Sequence, residues 1–123
     1  MSARRLPMFP LGLVLFPGEI LPLHVFEPRY RALVRDCLDS GGEFGVVLIE
    51  RGHEVGGGDQ RLSLGTLAVM KQVAALEDGR YAVISVGTTR IRVERWLPDD
   101  PYPVALVEEI GDTYGASKGP RDS

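Results

Sequence analysis

Residues 6–31 read LPMFPLGLVLFPGEILPLHVFEPRYR, and the prolines at 7, 10, 17, 22 and 28 decide how this stretch folds. Proline holds φ near its extended value and removes a backbone donor, so it suits strand starts, sheet edges and turns and is excluded from helix interiors. The apolar runs between the prolines therefore read as short extended segments. Residues 6–9 and 20–26 are predicted strands, joined through a turn at Phe16-Pro17-Gly18. At Pro28 the spacing changes. Tyr30, Leu33, Val34, Cys37 and Leu38 fall at i, i+3, i+4, i+7 and i+8, one apolar stripe of a helix over 28–40. Pro28 suits its first turn, where the missing N–H has no helical partner to lose. Gly41 and Gly42 supply the left-handed close.

Beyond the helix the pattern is one of strands. FGVVLIE (44–50) is a continuous apolar run of strand length, consistent with burial on both faces. RGHEVGGGDQRLS (51–63) reads as a polar, glycine-rich loop. The run over 65–77 has fair helix formers, but Asp78-Gly79 between two apolar runs is a tight-hairpin signal and makes it a strand. Simple alternation then puts Leu67, Val69 and Val73 on one face and Ala68, Met70 and Ala74 on the other. RYAVISV (80–86) returns antiparallel, a turn at Gly87 follows, and Ile91 and Val93 alternate with Arg90, Arg92 and Glu94 in a half-exposed strand over 89–97. A turn at 97–101 leads to a last strand over 103–110, with Val104, Leu106 and Ile110 sharing a face. From 111 to 123 the apolar pattern is lost, as in a disordered polar tail. The expected class is mainly β with one α-helix, an α+β chain of short, mostly antiparallel strands closing into a compact barrel-like fold.

Composition bounds the function. At 123 residues the chain is one domain, able to bury roughly 65–70% of its unfolded surface. A net charge of −3 gives no field favouring nucleic acid or an anionic membrane. The single cysteine, Cys37, excludes an internal disulfide, and no apolar run has the length of a membrane span. Arg4 and Arg5 precede an apolar segment in the manner of a signal peptide, yet prolines interrupt it and it runs on into patterned structure. The expected location is the cytoplasm.

No constellation supports catalysis. No serine sits in a G-x-S-x-G elbow, and Ser85 lies within a strand. Cys37 lies on the apolar stripe of the helix and reads as a buried small hydrophobe. His24 reads as a half-buried strand residue bonded to backbone, and His53 as a solvated loop residue. Two histidines and one cysteine at unrelated spacings make no zinc site, so neither metal nor cofactor is expected. Gly56-Gly57-Gly58-Asp59 lacks the frame and lysine of a phosphate loop. Asp99 and Asp100, flanked by prolines, belong to a surface turn, while Glu108 and Glu109 point to opposite strand faces. Arg90 and Arg92, followed by Arg95 and Trp96, could form a small RNA-binding patch. Glu94 shares their face and the chain is acidic, so a salt-bridged strand is the better reading. The surplus is apolar: Met8, Phe9, Leu11, Leu13, Val14, Leu15, Phe16 and Ile20 exceed what one strand face can bury. Leu13, Phe16 and Met70 are the candidates for an exposed patch that binds polypeptide.

The ordered succession of a Leu-Pro strand, FPG (16–18), LPLHVFEPRY (21–30), LGTLA (64–68), the DGRY hairpin (78–81), GTTRI (87–91) and PVALVEE (103–109) resembles the Lon amino-terminal, substrate-binding domain family. The resemblance covers residues 6 to about 110. It implies a pseudo-barrel of the PUA-like class, no catalytic residues, and capture of unfolded or apolar polypeptide segments for ATP-dependent proteolysis, with a protease or a second copy of the chain as further partners. Lon proteases continue into an ATPase module and a Ser-Lys peptidase module, and single-domain bacterial members into a helical bundle; this sequence contains none of them. It therefore resembles either the β-rich subdomain of a longer chain, which the polar tail favours, or a minimal stand-alone member. The rival expectations are a PUA-like RNA-binding module and a structural or oligomerising domain.

Overall fold

The computed structural model describes residues 3–50 and 60–111. In chain order the elements are β1 (Arg4–Leu11), β2 (Ile20–Val25), α1 (Pro28–Asp39), β3 (Glu43–Glu50), β4 (Gln60–Ala75), β5 (Tyr81–Leu97) and β6 (Val104–Glu109). The sheet runs β2-β5-β4-β3-β1-β6, and a further β5–β6 pairing closes it. Five strands thus form a ring, and β2 lies outside it on the first half of β5. All pairings are antiparallel except β1 with β3. Mainly β structure with one helix is the expected class.

The length of β5 makes closure possible. Its first half pairs with β2 and its second half with β6, while β4 runs along the opposite edge. Each ring strand sends apolar side chains inward, among them Met8, Val47, Leu67, Ile91 and Val107, to form one core. The other core lies on the outer face. There Leu33, Val34 and Cys37 of α1 pack on Phe9, Phe44 and Val46, with Leu21 and Val25 of β2 completing the cover. Phe9 stacks on Tyr30 with ring centroids 4.4 Å apart. The helix ends as expected, with the Gly42 N–H donating to the Cys37 carbonyl and Gly41 and Gly42 at positive φ.

Ring closure leaves little room on the strands. A Cβ at Gly65 would lie 2.3 Å from the Val46 carbonyl oxygen, and one at Gly45 would lie 2.6 Å from Met8 Sδ. The obstacle at Gly65 is backbone of the neighbouring strand and cannot rotate away. Gly65→Ala is expected to cost about 3 kcal/mol, in the range of overpacked cores, read as a lower urea midpoint with unchanged slope. Stability within about 0.5 kcal/mol of the parent, the usual spread for neutral sites, would show that the sheet opens there freely.

Prolines interrupt the exposed edges of β1 and β2. Met8 donates its N–H to the Pro103 carbonyl on the β6 side of β1. Pro10, two residues on, faces that same edge past the end of β6 and has no donor to offer. On β2, Gly87 N–H donates to Glu19 O, so the odd positions bond β5 and Pro22 faces outward. A strand laid on either edge would miss hydrogen bonds at these prolines.

The structure corrects several expectations. Gly87 is no turn: β5 runs through it at a bulge opposite Leu67 and Ala68. A second bulge, between Met70 and Gln72, inserts a residue into β4 and reverses its alternation. Val73 therefore packs against the core that holds Ala68 and Met70 instead of sharing Leu67's face. In β6 the buried set is Val104, Ala105 and Val107, because the closed ring covers both of its faces; Leu106 is only partly buried. Leu38, at the flank of the helix stripe, is 48% exposed. Gln60–Ser63, expected in a loop, are strand. His53, the triple glycine and residues 112–123 of the tail lie outside the described residues.

Candidate functional site

The residues joining β1 to β2 cross the outer face of β4 and β5, and their backbone is held down at successive points. Leu15 is the anchor, buried in the outer core, and its carbonyl accepts a hydrogen bond from the buried hydroxyl of Thr66. Phe16 N–H donates to the Glu19 carboxylate at 2.9 Å, and Gly18 N–H donates to Gly87 O at 2.8 Å. Gly87 has to be glycine for this crossing, since a Cβ there would meet Phe16 O at 2.8 Å. Pinning Leu15 inward turns its neighbours outward. Leu13, Val14 and Phe16 are 49%, 48% and 46% exposed, and Leu64 of β4, at 52%, stands beside them. A shallow cleft of about 160 Å³ lies among Leu13, Val14, Leu48, Leu64 and Arg90. The Arg90 guanidinium sits 5.4 Å from the centre of the Phe16 ring.

Two of the three expected patch residues, Leu13 and Phe16, thus come together. Met70 does not join them: it is 8% exposed and packs in the core beneath the helix. Regular alternation with Ala68, ahead of the bulge, places it on the face that the helix covers. Val14 and Leu64 were missed as candidates, although the apolar excess in LGLVLF already contained the signal for Val14.

The other chemistry-bearing residues are accounted for. Cys37 is buried, its thiol donates to the Glu43 carbonyl at 3.1 Å, and burial pushes its pKa from 9.0 to about 12. It is therefore expected to resist alkylation at neutral pH until the protein is denatured; rapid labelling of the folded protein would contradict the burial. Burial, with the hydrogen bond its hydroxyl donates to Asp36 at 2.6 Å, raises Tyr102 from 10.0 to about 12. For both groups the folded state keeps its proton over a range where the unfolded state loses it. Stability accordingly falls as pH rises from about 9 towards 12. His24 is exposed and bonds the Arg80 guanidinium at 3.2 Å, not backbone as expected. Arg92 pairs with Glu108 at 3.1 Å and Glu94 at 3.7 Å, the salt-bridged strand that was expected. Ser85 is wholly buried within β5, and its hydroxyl bonds no base. Among the described residues, no cluster of His, Cys, Asp and Glu could hold a metal ion, and no helix is long and apolar enough to cross a membrane.

A sequence profile of the ATP-dependent protease La (LON) substrate-binding domain matches residues 5–123. The chain belongs to the Lon substrate-binding domain family. Lon protease 2 of Myxococcus xanthus is 32% identical over 109 residues, which is 87% of this chain and 13% of that protein. The Lon protease of Anaeromyxobacter dehalogenans is 31% identical with the same coverage. This Lon-family chain thus spans about an eighth of the curated relatives it matches. Its fold is similar to the crystal structure of a Lon N-terminal domain protein from Xanthomonas campestris, with a TM-score of 0.72 and 37% identity over 86% of this chain and 59% of that one. The N-terminal domain of a Mycobacterium avium complex Lon protease matches in fold alone, with a TM-score of 0.62 at 18% identity over 94% of this chain and 59% of that one. The Lon substrate-binding domain is a substrate-binding and not a catalytic domain.

Proposed function

We propose that this domain captures unfolded or apolar polypeptide segments on the face formed by Leu13, Val14, Phe16 and Leu64, as substrate recognition for ATP-dependent proteolysis in the cytoplasm. The observation that carries the reading is an apolar loop pinned from beneath. Leu15, Thr66, Glu19 and Gly87 hold the backbone while its neighbours stay exposed. A preformed surface loses little conformational freedom when a ligand arrives, so each exposed side chain contributes more of its burial energy to affinity. Contiguous exposed apolar side chains on a folded domain mark interaction sites. Binding is through side chains, since Pro10 and Pro22 oppose addition of a strand on β1 and β2. The cleft is shallow, so expected affinities are micromolar or weaker, roughly −8 kcal/mol at best.

The test is fluorescence anisotropy of a labelled, permanently unfolded polypeptide titrated with the domain, with its folded counterpart and a single-stranded RNA as controls. Saturable binding to the unfolded chain alone, little affected by salt, is expected. Binding to RNA with a steep salt dependence would replace this reading with a nucleic-acid one. Self-association without polypeptide binding would make the domain a scaffold.

A further inference from the structure

We infer that the open edge of β4, over residues 73–75, takes up an extended, proline-free polypeptide segment as an added strand, with Lys71 drawing a carboxylate of that segment. The inference rests on the polypeptide-binding reading above and adds a main-chain site to its apolar face. β4 runs on beyond the start of β3: the ladder between them stops at Glu43 with Val69, and the Gly42 carbonyl then accepts the Met70 N–H. The bulge between Met70 and Gln72 reverses which backbone groups face which side. Gln72 and Ala74 stand opposite Ile84 and Ala82, and the Leu76 N–H donates to the Arg80 carbonyl, so the even positions bond β5. The N–H and C=O groups of Val73 and Ala75 therefore point to the other edge, where no described strand pairs with them.

A row of unpaired donors and acceptors is complementary to the backbone of another extended chain. The exposed edges of β1 and β2 carry Pro10 and Pro22, whereas this stretch has no proline. Ala74 and Ala75 are small and exposed, so an incoming backbone has room to approach. Side chains that the added strand turns to the Gln72 and Ala74 face border a depression of about 580 Å³ lined by Pro22, Ala82 and Ile84, which favours apolar residues at alternate positions. Lys71 stands exposed at the start of the stretch and has no ion pair among the described residues. Pairing of two β4 edges would gather their lysines along one seam. A client segment carrying Asp or Glu is the complementary partner, and a second copy of this chain is not.

Three labelled peptides test this: one alternating Val and Thr between two Glu residues, the same peptide with its central amides N-methylated, and a version with Lys for Glu. Each is titrated by anisotropy into the domain, into A75P, whose proline removes an edge N–H and no ladder bond, and into K71E. N-methylation and A75P are each expected to weaken binding by about tenfold, the loss of one or two hydrogen bonds. The Lys peptide is expected to bind about threefold weaker than the Glu peptide, as for an exposed ion pair, and K71E should reverse that preference. Amide hydrogen exchange is read alongside: Val73 and Ala75 should exchange readily in the domain alone and become protected by the peptide. Equal binding of the N-methylated peptide, or protection confined to residues 13–16, overturns the inference and leaves capture at the apolar face standing. A charge preference that is absent, or that survives K71E, overturns the part given to Lys71. Protection that grows with domain concentration without peptide would put a second copy on the edge and overturn the inference as well. If neither the peptide nor a permanently unfolded polypeptide binds, the polypeptide-binding reading itself falls. The N-methylated peptide and the exchange pattern decide the matter should A75P fail to fold.

Discussion

Leu33→Asp is expected to leave the domain unfolded at room temperature, whereas Leu38→Asp on the same helix is expected to be almost silent. Leu33 is fully buried between α1 and the sheet, in the cluster that holds Phe44, Val34 and Val25. Truncating such a leucine alone costs about 2–5 kcal/mol. The aspartate adds the penalty of an unpaired charge in an apolar site, several kcal/mol even after relaxation. Together these approach the whole stability of a small domain, about 5–15 kcal/mol. Leu38 looks similar in sequence but sits half in solvent, where a substitution usually changes stability by less than about 0.5 kcal/mol. Circular dichroism with urea titration distinguishes the two. A cooperative Leu33→Asp transition close to the parent's would mean that α1 is not part of the core.

Replacing both Leu13 and Phe16 by serine is expected to eliminate polypeptide capture with little loss of stability. The two side chains are about half exposed, so their burial against the domain is incomplete. What Phe16 loses internally is its contact with Arg90, worth about 0.5–1 kcal/mol at an exposed site. Hot-spot side chains cost about 2 kcal/mol or more of binding energy each when removed, so loss of both should weaken a micromolar complex by roughly a thousandfold, to the millimolar range beyond practical titration. The readout pairs anisotropy with a urea midpoint. Unchanged affinity would move the binding face elsewhere on the domain, and marked unfolding would make Phe16 a structural residue. Met70 serves as the contrast: as a core residue its truncation should lower stability first.

Turns, strand runs and the helix were legible because each depends on local chain stereochemistry. The prolines of 6–31 set extended segments, and Pro28 opened the helix that Gly41 and Gly42 close. Asp78-Gly79 produced the β4–β5 hairpin, with Gly79 at φ 89°. The half-exposed pattern Ile91-Arg92-Val93 held as well, since alternation follows from the backbone wherever the strand is regular.

Register and exposure belonged to the tertiary structure. The bulges at Thr88 and Lys71 leave no clear mark in composition, yet each displaces the side chains beyond it, which is why Val73 joined Met70 and Gly87 became mid-strand. They exist because β5 must serve β2, β4 and β6 at once and twist enough to close the ring. The choice among apolar residues followed the same logic. In Leu13-Val14-Leu15-Phe16 every side chain is apolar, and only the crossing over Thr66 and Gly87 buries Leu15 and leaves the others outside. The sequence by itself determined the helix, the Asp78-Gly79 hairpin and most of the extended runs, because those preferences are carried within a few residues. Which apolar side chains became core and which became a binding face was decided only when distant strands met, because burial is a property of the neighbours a residue acquires.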